Sequence, residues 1–174
     1  MTRRLAALVA AVALLAACDG NKPKPRYPEP RKSAVDLTLP GLDGTAVSVA
    51  DARGRPLVIF MFTTWSLRAQ VEAPQFVQMH DQLAKRGLRI IGIALDRRTG
   101  PLVKTYVNYM HMRFSVAIAE PDNAALLAAL GRTHKVPRTL LLDPQGRVRL
   151  DFQGATRFKK LRANVERMLA PAAK

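Results

Sequence analysis

An uninterrupted apolar segment at residues 57–62, Leu-Val-Ile-Phe-Met-Phe, constrains the fold of this chain more than any other feature. A strand with an apolar residue at every position is buried on both faces, which is typical of parallel sheets covered by helices. Residues 88–95 have the same character, and residues 67–86 between them have the pattern of a helix. The sequence therefore predicts an α/β fold.

The remaining elements can be predicted from the same patterns. We expect extended segments or strands at residues 35–39, 46–49, 115–118, 139–142 and 148–152. Further helices are expected at residues 101–110, 122–130 and 156–169. Buried strands that alternate with amphipathic helices predict a three-layer sandwich with a mixed central β-sheet flanked by helices, formed by one domain over residues 34–170.

Residues 1–17 have the pattern of a lipoprotein signal peptide. Arg3 and Arg4 precede an apolar run that is too short to span a bilayer, and Leu-Ala-Ala ends the run before Cys18. This resembles the bacterial lipobox, in which the cysteine is lipidated and becomes the first residue of the mature protein. We expect lipidation at Cys18 and a location in the cell envelope, on the periplasmic or outer face of a membrane. The alternative is a plain secretory signal.

Residues 18–33 are expected to form a tether between this anchor and the domain. Prolines and basic residues alternate there, with almost nothing apolar between them. A proline-rich segment extends by about 3 Å per residue, so the fifteen residues 19–33 after the cysteine reach up to roughly 45 Å.

Charge and cysteine content limit the function. The formal net charge is +15 at pH 7, and it falls to +13 when Arg3 and Arg4 leave with the signal. The compartment argues against nucleic acid, and the basic residues are not interleaved with aromatics, so anionic lipid or an acidic protein fits better as a partner. Cys18 is the only cysteine, so we expect no disulfide and no thiol chemistry in the domain itself.

Residues 62–74, Phe-Thr-Thr-Trp-Ser-Leu-Arg-Ala-Gln-Val-Glu-Ala-Pro, carry a resemblance to a known family. They are similar to the F-x-A-T-W-C-x-x-C-R-x-E-x-P motif of the TlpA-like redoxin branch of thioredoxin-fold proteins. Ser66 and Ala69 stand where that motif has its two cysteines. The matching positions are Thr64, Trp65, Glu72 and Pro74, and Phe62 stands next to the position of the motif's phenylalanine.

Two other segments support the resemblance. Residues 136–148 resemble the cis-proline loop, strand and turn of the family, with Pro137 as the cis proline. Residues 49–58 resemble its lead into the central strand. The resemblance covers most of residues 34–170 and implies a thioredoxin-like fold.

The resemblance also implies a binding groove between Trp65, the helix start at Ser66, and the cis-proline loop at Val136 and Pro137. In thioredoxin-like proteins this groove binds an extended peptide through the backbone beside the proline, which requires no sulfur. Arg68 and Arg138 are expected to flank the groove and to favour acidic partners.

Dithiol exchange requires a thiolate of lowered pKa and a second thiol, and neither cysteine is present. The acid that accepts protons in thioredoxin itself would fall near Phe60 and is absent. Ser66 is expected to cap the helix that follows it. As a nucleophile it would need a base, for which His134 is the candidate.

Two classes of function remain open. The first is a non-catalytic or chaperone-like lipoprotein that binds an extended peptide or another exported protein. The second is a thiol-disulfide oxidoreductase or antioxidant relay, for example in cytochrome c maturation. A less favoured alternative is copper binding at Met110-His111-Met112, but residues two apart do not share a helix face, so we expect no metal site and no cofactor.

Overall fold

The computed structural model describes residues 33–97 and 100–170. The predicted signal peptide, Cys18 and the tether up to residue 32 lie outside the described residues. The strands are β1 (Thr38–Pro40), β2 (Ala46–Ser48), β3 (Leu57–Phe62), β4 (Arg89–Ala94), β5 (Ser115–Ile118), β6 (Arg138–Leu142) and β7 (Val148–Gln153). The helices are α1 (Leu67–Leu83), α2 (Gly100–Tyr109), α3 (Ala124–Leu130) and α4 (Phe158–Leu169).

Five of these strands form a mixed sheet in the order β5-β4-β3-β6-β7. The β3–β4 and β4–β5 pairs are parallel, whereas β3–β6 and β6–β7 are antiparallel. The central strand β3 is buried at all six positions, as its apolar sequence predicts. Strands β1 and β2 form a separate antiparallel hairpin.

Alternation along β3 supplies a core on each face of the sheet, because successive side chains point to opposite faces. Val58, Phe60 and Phe62 pack with residues of α1, α2 and α4. Leu57, Ile59 and Met61 pack in a second cluster with the residues around the hairpin and with α3. The predicted three-layer α/β sandwich is confirmed.

Several helix boundaries differ from those predicted. The α3 helix begins two residues late because Asn123 is its N-cap, whose side chain accepts from the Leu126 N–H at 3.0 Å. The α4 helix begins at Phe158 rather than at residue 156; the backbone of its N-cap, Arg157, is not helical, and the N–H of Thr156 donates to Glu72. The α1 helix ends at Leu83, followed by a 3-10 turn at Ala84–Arg86.

The cis-proline expected from the sequence is present. The Val136–Pro137 bond is cis, and Arg138 directly after it pairs with Met61 near the end of β3. Pro74 lies inside α1 without ending it, also as expected. The loop before β6 therefore lies beside the connection from β3 to α1.

Candidate functional site

The candidate site lies at the C-terminal end of β3, where four connections meet. One runs from β3 to α1 and carries Trp65, and the next runs from β4 to α2. The other two precede α3 and β6. The carboxyl ends of β3 and β4 meet at the same edge because the two strands are parallel, so loops that are distant in sequence line one pocket.

Ser66 is the N-cap of α1, as predicted. Its backbone is extended, and its Oγ accepts from the N–H of Ala69 at 3.3 Å. Ala69 itself is fully buried. The two positions that correspond to the cysteines of the motif are thus occupied by a helix cap and a core residue.

A cavity of about 510 Å³ opens beside this helix start. Its lining includes Trp65 and Val136, two of the residues predicted for the groove. Ser66, Arg68, Pro137 and Arg138, also predicted for the groove, are not part of this lining. The full lining is Thr63, Trp65, Leu95, Asp96, Arg97, Leu102, Pro121, Thr133, His134, Lys135 and Val136.

The floor of the cavity contains buried polar groups that the sequence analysis did not identify. The Asp96 carboxylate accepts from the Thr64 hydroxyl at 2.6 Å and from the Thr64 N–H at 3.0 Å. Thr63 Oγ1 is buried and has no hydrogen-bond partner in the described part of the chain. Tyr106 is not part of the lining, but burial and the nearby charge of Asp96 raise its pKa to about 12. The floor can accept hydrogen bonds through Asp96, and it can both accept and donate them through the Thr63 hydroxyl.

The rim of the cavity is basic. Arg97 and Lys135 are exposed there, and Arg97 also forms an exposed ion pair with Asp122 at 3.3 Å. His134 lies on the same rim, and no hydrogen bond joins its ring to Ser66 within residues 33–97 and 100–170. A base-activated serine is therefore not preformed here.

Arg138 does not flank the groove as an exposed cation, and this part of the sequence prediction is wrong. Its side chain is buried and forms a bidentate pair with Asp151, at 3.0 and 2.7 Å. The same guanidinium donates to the carbonyls of Leu130 and Gly131 and to the hydroxyl of Thr133. A buried guanidinium must be paired, so Arg138 holds the loop before β6 in place rather than contacting a partner.

Behind the helix start lies a buried carboxylate, Glu72. Its Oε1 accepts from the N–H of Thr156 at 3.1 Å, whereas Oε2 is buried with no hydrogen-bond partner among the described residues. Arg68, which is mostly exposed, approaches Oε1 at 4.0 Å. Phe60, at the position where thioredoxin has its proton-accepting acid, lies in the core. The acidic groups near the site are instead Glu72 on α1 and Asp96 in the connection after β4.

Large apolar side chains are exposed near the cavity. Trp65 is 73% exposed, and Leu67 and Val71 on the first turns of α1 are 78% and 71% exposed. Leu102, which lines the cavity, is 53% exposed. Such side chains, grouped at one end of a domain, are typical of interaction surfaces.

The side chains of the Met110-His111-Met112 segment lie in different environments. Met112 is buried in the core and Met110 is partly buried against it, whereas His111 is exposed. No group of three or more histidine, cysteine, aspartate or glutamate side chains that could hold a metal ion occurs in the described ranges.

None of the helices that the structure describes is both long and apolar enough to traverse a bilayer.

Comparison with known proteins identifies relatives of the chain. ResA, a thiol-disulfide oxidoreductase of Bacillus thuringiensis, is 25% identical over 67% of this chain and 65% of its own length. DsbE, a thiol:disulfide interchange protein of Pseudomonas aeruginosa, is 29% identical over 67% of this chain and 62% of its own length. The chain thus spans slightly less than two thirds of these relatives.

Solved structures agree with the fold. A thiol:disulfide interchange protein of the thioredoxin family from Chlorobium tepidum has a TM-score of 0.69 at 25% identity, over 84% of this chain and all of its own. A secreted disulfide oxidoreductase of Mycobacterium tuberculosis, at 19% identity and a TM-score of 0.63, covers 75% of this chain and 95% of its own. At 19% identity, the likeness to the mycobacterial protein shows the fold alone.

The AhpC/TSA family matches residues 30–155, most of the domain. With the thioredoxin-like sheet, the cis-proline loop and the thiol-disulfide oxidoreductase relatives, this match confirms the resemblance found in the sequence. The chain belongs to the AhpC/TSA family, in its TlpA-like redoxin branch.

Proposed function

We propose that this protein is a membrane-anchored, extracytoplasmic and non-catalytic member of its family, which binds an extended segment of another exported protein. One observation carries the proposal. The positions of both cysteines hold a helix cap and a buried alanine, while Trp65, the cis-proline loop and the cavity beside them are retained. A peptide groove can act without sulfur, whereas dithiol exchange cannot.

The chemistry of the cavity supports a peptide as the ligand. Trp65 and Leu102 offer apolar contact, and the floor offers hydrogen bonds through Thr63 and Asp96. Mixed lining of this kind suits a segment with one apolar side chain and free backbone groups. The exposed cations Arg97 and Lys135 on the rim favour a segment that also carries a carboxylate.

Loss of the Trp65 ring should strongly weaken peptide binding. We expect peptides selected from a random library against the wild-type protein to lose about thirtyfold or more in affinity for Trp65→Ser, because a central tryptophan often contributes over 2 kcal/mol. Titration calorimetry with the selected peptides measures this.

Tyr109→Ser is the matched control for that experiment. Tyr109 is another strongly exposed aromatic, at 77%, but it lies outside the cavity lining. Its removal should leave affinity within about twofold, as for residues outside a hot spot. Equal weakening by both substitutions would contradict the assignment of the cavity as the binding site.

Membrane attachment is proposed to depend on Cys18. We expect the wild-type protein to fractionate with the envelope and to enter the detergent phase, and Cys18→Ser to release it or block its maturation. Acyl chains supply the membrane affinity in this arrangement. Wild-type protein recovered entirely in the soluble periplasmic fraction would contradict the anchor and leave the groove unaffected.

An enzymatic role is the second candidate, and two observations favour it. ResA and DsbE are named as thiol-disulfide proteins, and a buried carboxylate with one unpartnered oxygen, Glu72, lies one helical turn beyond Ala69. Such a role requires thiols from another molecule, because Cys18 is the only cysteine of the chain.

A further inference from the structure

The end of the sheet opposite the cavity is formed by three connections that are hydrogen-bonded to one another. The N–H of Arg89 donates to the carbonyl of Pro56 at 3.0 Å, which joins the start of β4 to the start of β3. The N–H of Gly54 donates to the carbonyl of Pro144 at 2.9 Å, which joins the β2–β3 connection to the β6–β7 turn. These turns therefore form one continuous surface.

The last turn of α4 reaches the same surface. A side-chain atom placed on Gly87, between α1 and β4, would lie 3.7 Å from the Leu169 side chain. The C-terminal ends of α1 and α4 thus meet the connection that leads into β4. We call this surface the basic end, for the residues that it carries.

Eight lysine and arginine side chains lie on the basic end, most of them exposed. Asp143 already contacts Arg147 and Arg149. Four of the other cations are exposed, and their side chains form neither an ion pair nor a hydrogen bond within the described part of the chain; these are Arg55, Lys85, Arg86 and Arg89. The whole set is Arg53, Arg55, Lys85, Arg86, Arg89, Arg147, Arg149 and Arg167, against Asp36, Asp51, Asp143 and Glu166.

The chain enters the domain at the basic end. The N–H of Val35 donates to the carbonyl of Gly146 at 2.8 Å, within the β6–β7 turn. Arg53 holds the same segment, because its guanidinium donates to the carbonyl of Val35 at 2.7 Å and to that of Gln145 at 3.3 Å. Whatever precedes Val35 in sequence must therefore leave from this end of the sheet.

We propose that the basic end lies against a bilayer of anionic lipid, so that the cavity points away from the membrane. This inference rests on the lipid anchor of the proposed function. The anchor and the tether, with its own basic residues, bring the membrane to the basic end, and the unpaired cations hold the domain there by attraction to lipid headgroups.

Cations also occur around the cavity, but they lie too far from the basic end to contribute to attraction by a bilayer there. The six residues of β3 separate the ends by about 20 Å. The Debye length at physiological ionic strength is about 8 Å, so cations near the cavity are screened from a bilayer that contacts the basic end. The attraction therefore acts through the basic end alone in this orientation.

Tryptophan fluorescence can test the orientation, because Trp65 is the only tryptophan and lies at the cavity. The lipidated protein is reconstituted into phosphatidylcholine vesicles with brominated acyl chains, with and without phosphatidylglycerol. A second protein carries Gln145→Trp with Trp65→Phe, which moves the probe to the exposed β6–β7 turn. We expect phosphatidylglycerol to cause quenching at position 145 and none at Trp65.

Removal of charge should abolish this quenching. Changing the four unpaired cations of the basic end to glutamine should lower quenching at position 145 to the level of Trp65, as should high salt. The matched control removes four exposed cations elsewhere and should keep the quenching; these are Lys104, Arg132, Lys159 and Lys160.

The outcomes separate this inference from the proposed function. Protein that floats with the vesicles but shows equal quenching at both positions overturns the orientation and leaves the anchor standing. Quenching at position 145 that survives the fourfold substitution also overturns it. Protein that does not float with the vesicles overturns the anchor and the orientation together.

Discussion

Restoring both cysteines should convert this protein into a thiol-disulfide oxidoreductase. We expect Ser66→Cys with Ala69→Cys, in a Cys18→Ser background, to catalyse insulin reduction by dithiothreitol, whereas the background protein shows no turnover above buffer. Position 66 caps α1, and a helix N-terminus lowers the pKa of a thiol. The Cα atoms of residues three apart on a helix are about 5 Å apart, which lies within the Cα separation that a disulfide can bridge.

The single variant Ser66→Cys is the control for that gain. Its thiol can attack a disulfide, but it has no second thiol to resolve the mixed disulfide, so turnover should remain near that of buffer. Activity of the double variant alone would show that the scaffold is intact and would favour binding as the natural role. Thiol-dependent turnover by the background protein would instead contradict the non-catalytic proposal.

Replacing Arg138 should cause a large loss of stability. We expect Arg138→Gln to lower the free energy of unfolding by about 3–5 kcal/mol, because the substitution leaves the buried carboxylate of Asp151 without its cation. A loss of that size is a large fraction of the 5–15 kcal/mol typical of a domain. Urea unfolding followed by circular dichroism measures it.

Arg162→Gln is the control, since it breaks an ion pair between an arginine and a carboxylate at the surface. Arg162 Nε lies 2.8 Å from Glu166 Oε1, and both side chains are more than 40% exposed. An exposed pair of this kind contributes about 0–1 kcal/mol. Equal losses for the two variants would show that burial does not decide the contribution of Arg138.

The sequence was sufficient for the fold because its strongest signals are local. The apolar segment at 57–62 matches β3 to the residue, and the mixed sheet follows from the order of the elements. Exact helix starts were harder to predict: Thr156, expected inside α4, lies before it, and its N–H donates to Glu72, which is 84 residues away. No local pattern indicates which backbone N–H such a side chain will take.

The candidate site was only partly predictable, for a related reason. Trp65 and Val136 lie in or beside recognisable motifs and do line the cavity. Arg138 also follows the motif proline, yet its direction is set by Asp151 on the neighbouring strand, which sequence position does not indicate. Asp96 was missed although it directly follows a buried strand, a position where polar residues often face a site.

The two walls of the cavity should differ in their resistance to local opening. Trp65 follows β3, whose amides lie between strands on both sides and can exchange with solvent only when much of the sheet unfolds. The facing wall, residues 133–136, has neither helix nor strand and is held through side chains such as Arg138 and Gln153. We therefore expect residues 133–136 to open at lower free energy than β3, so that the width of the cavity varies mainly on that side.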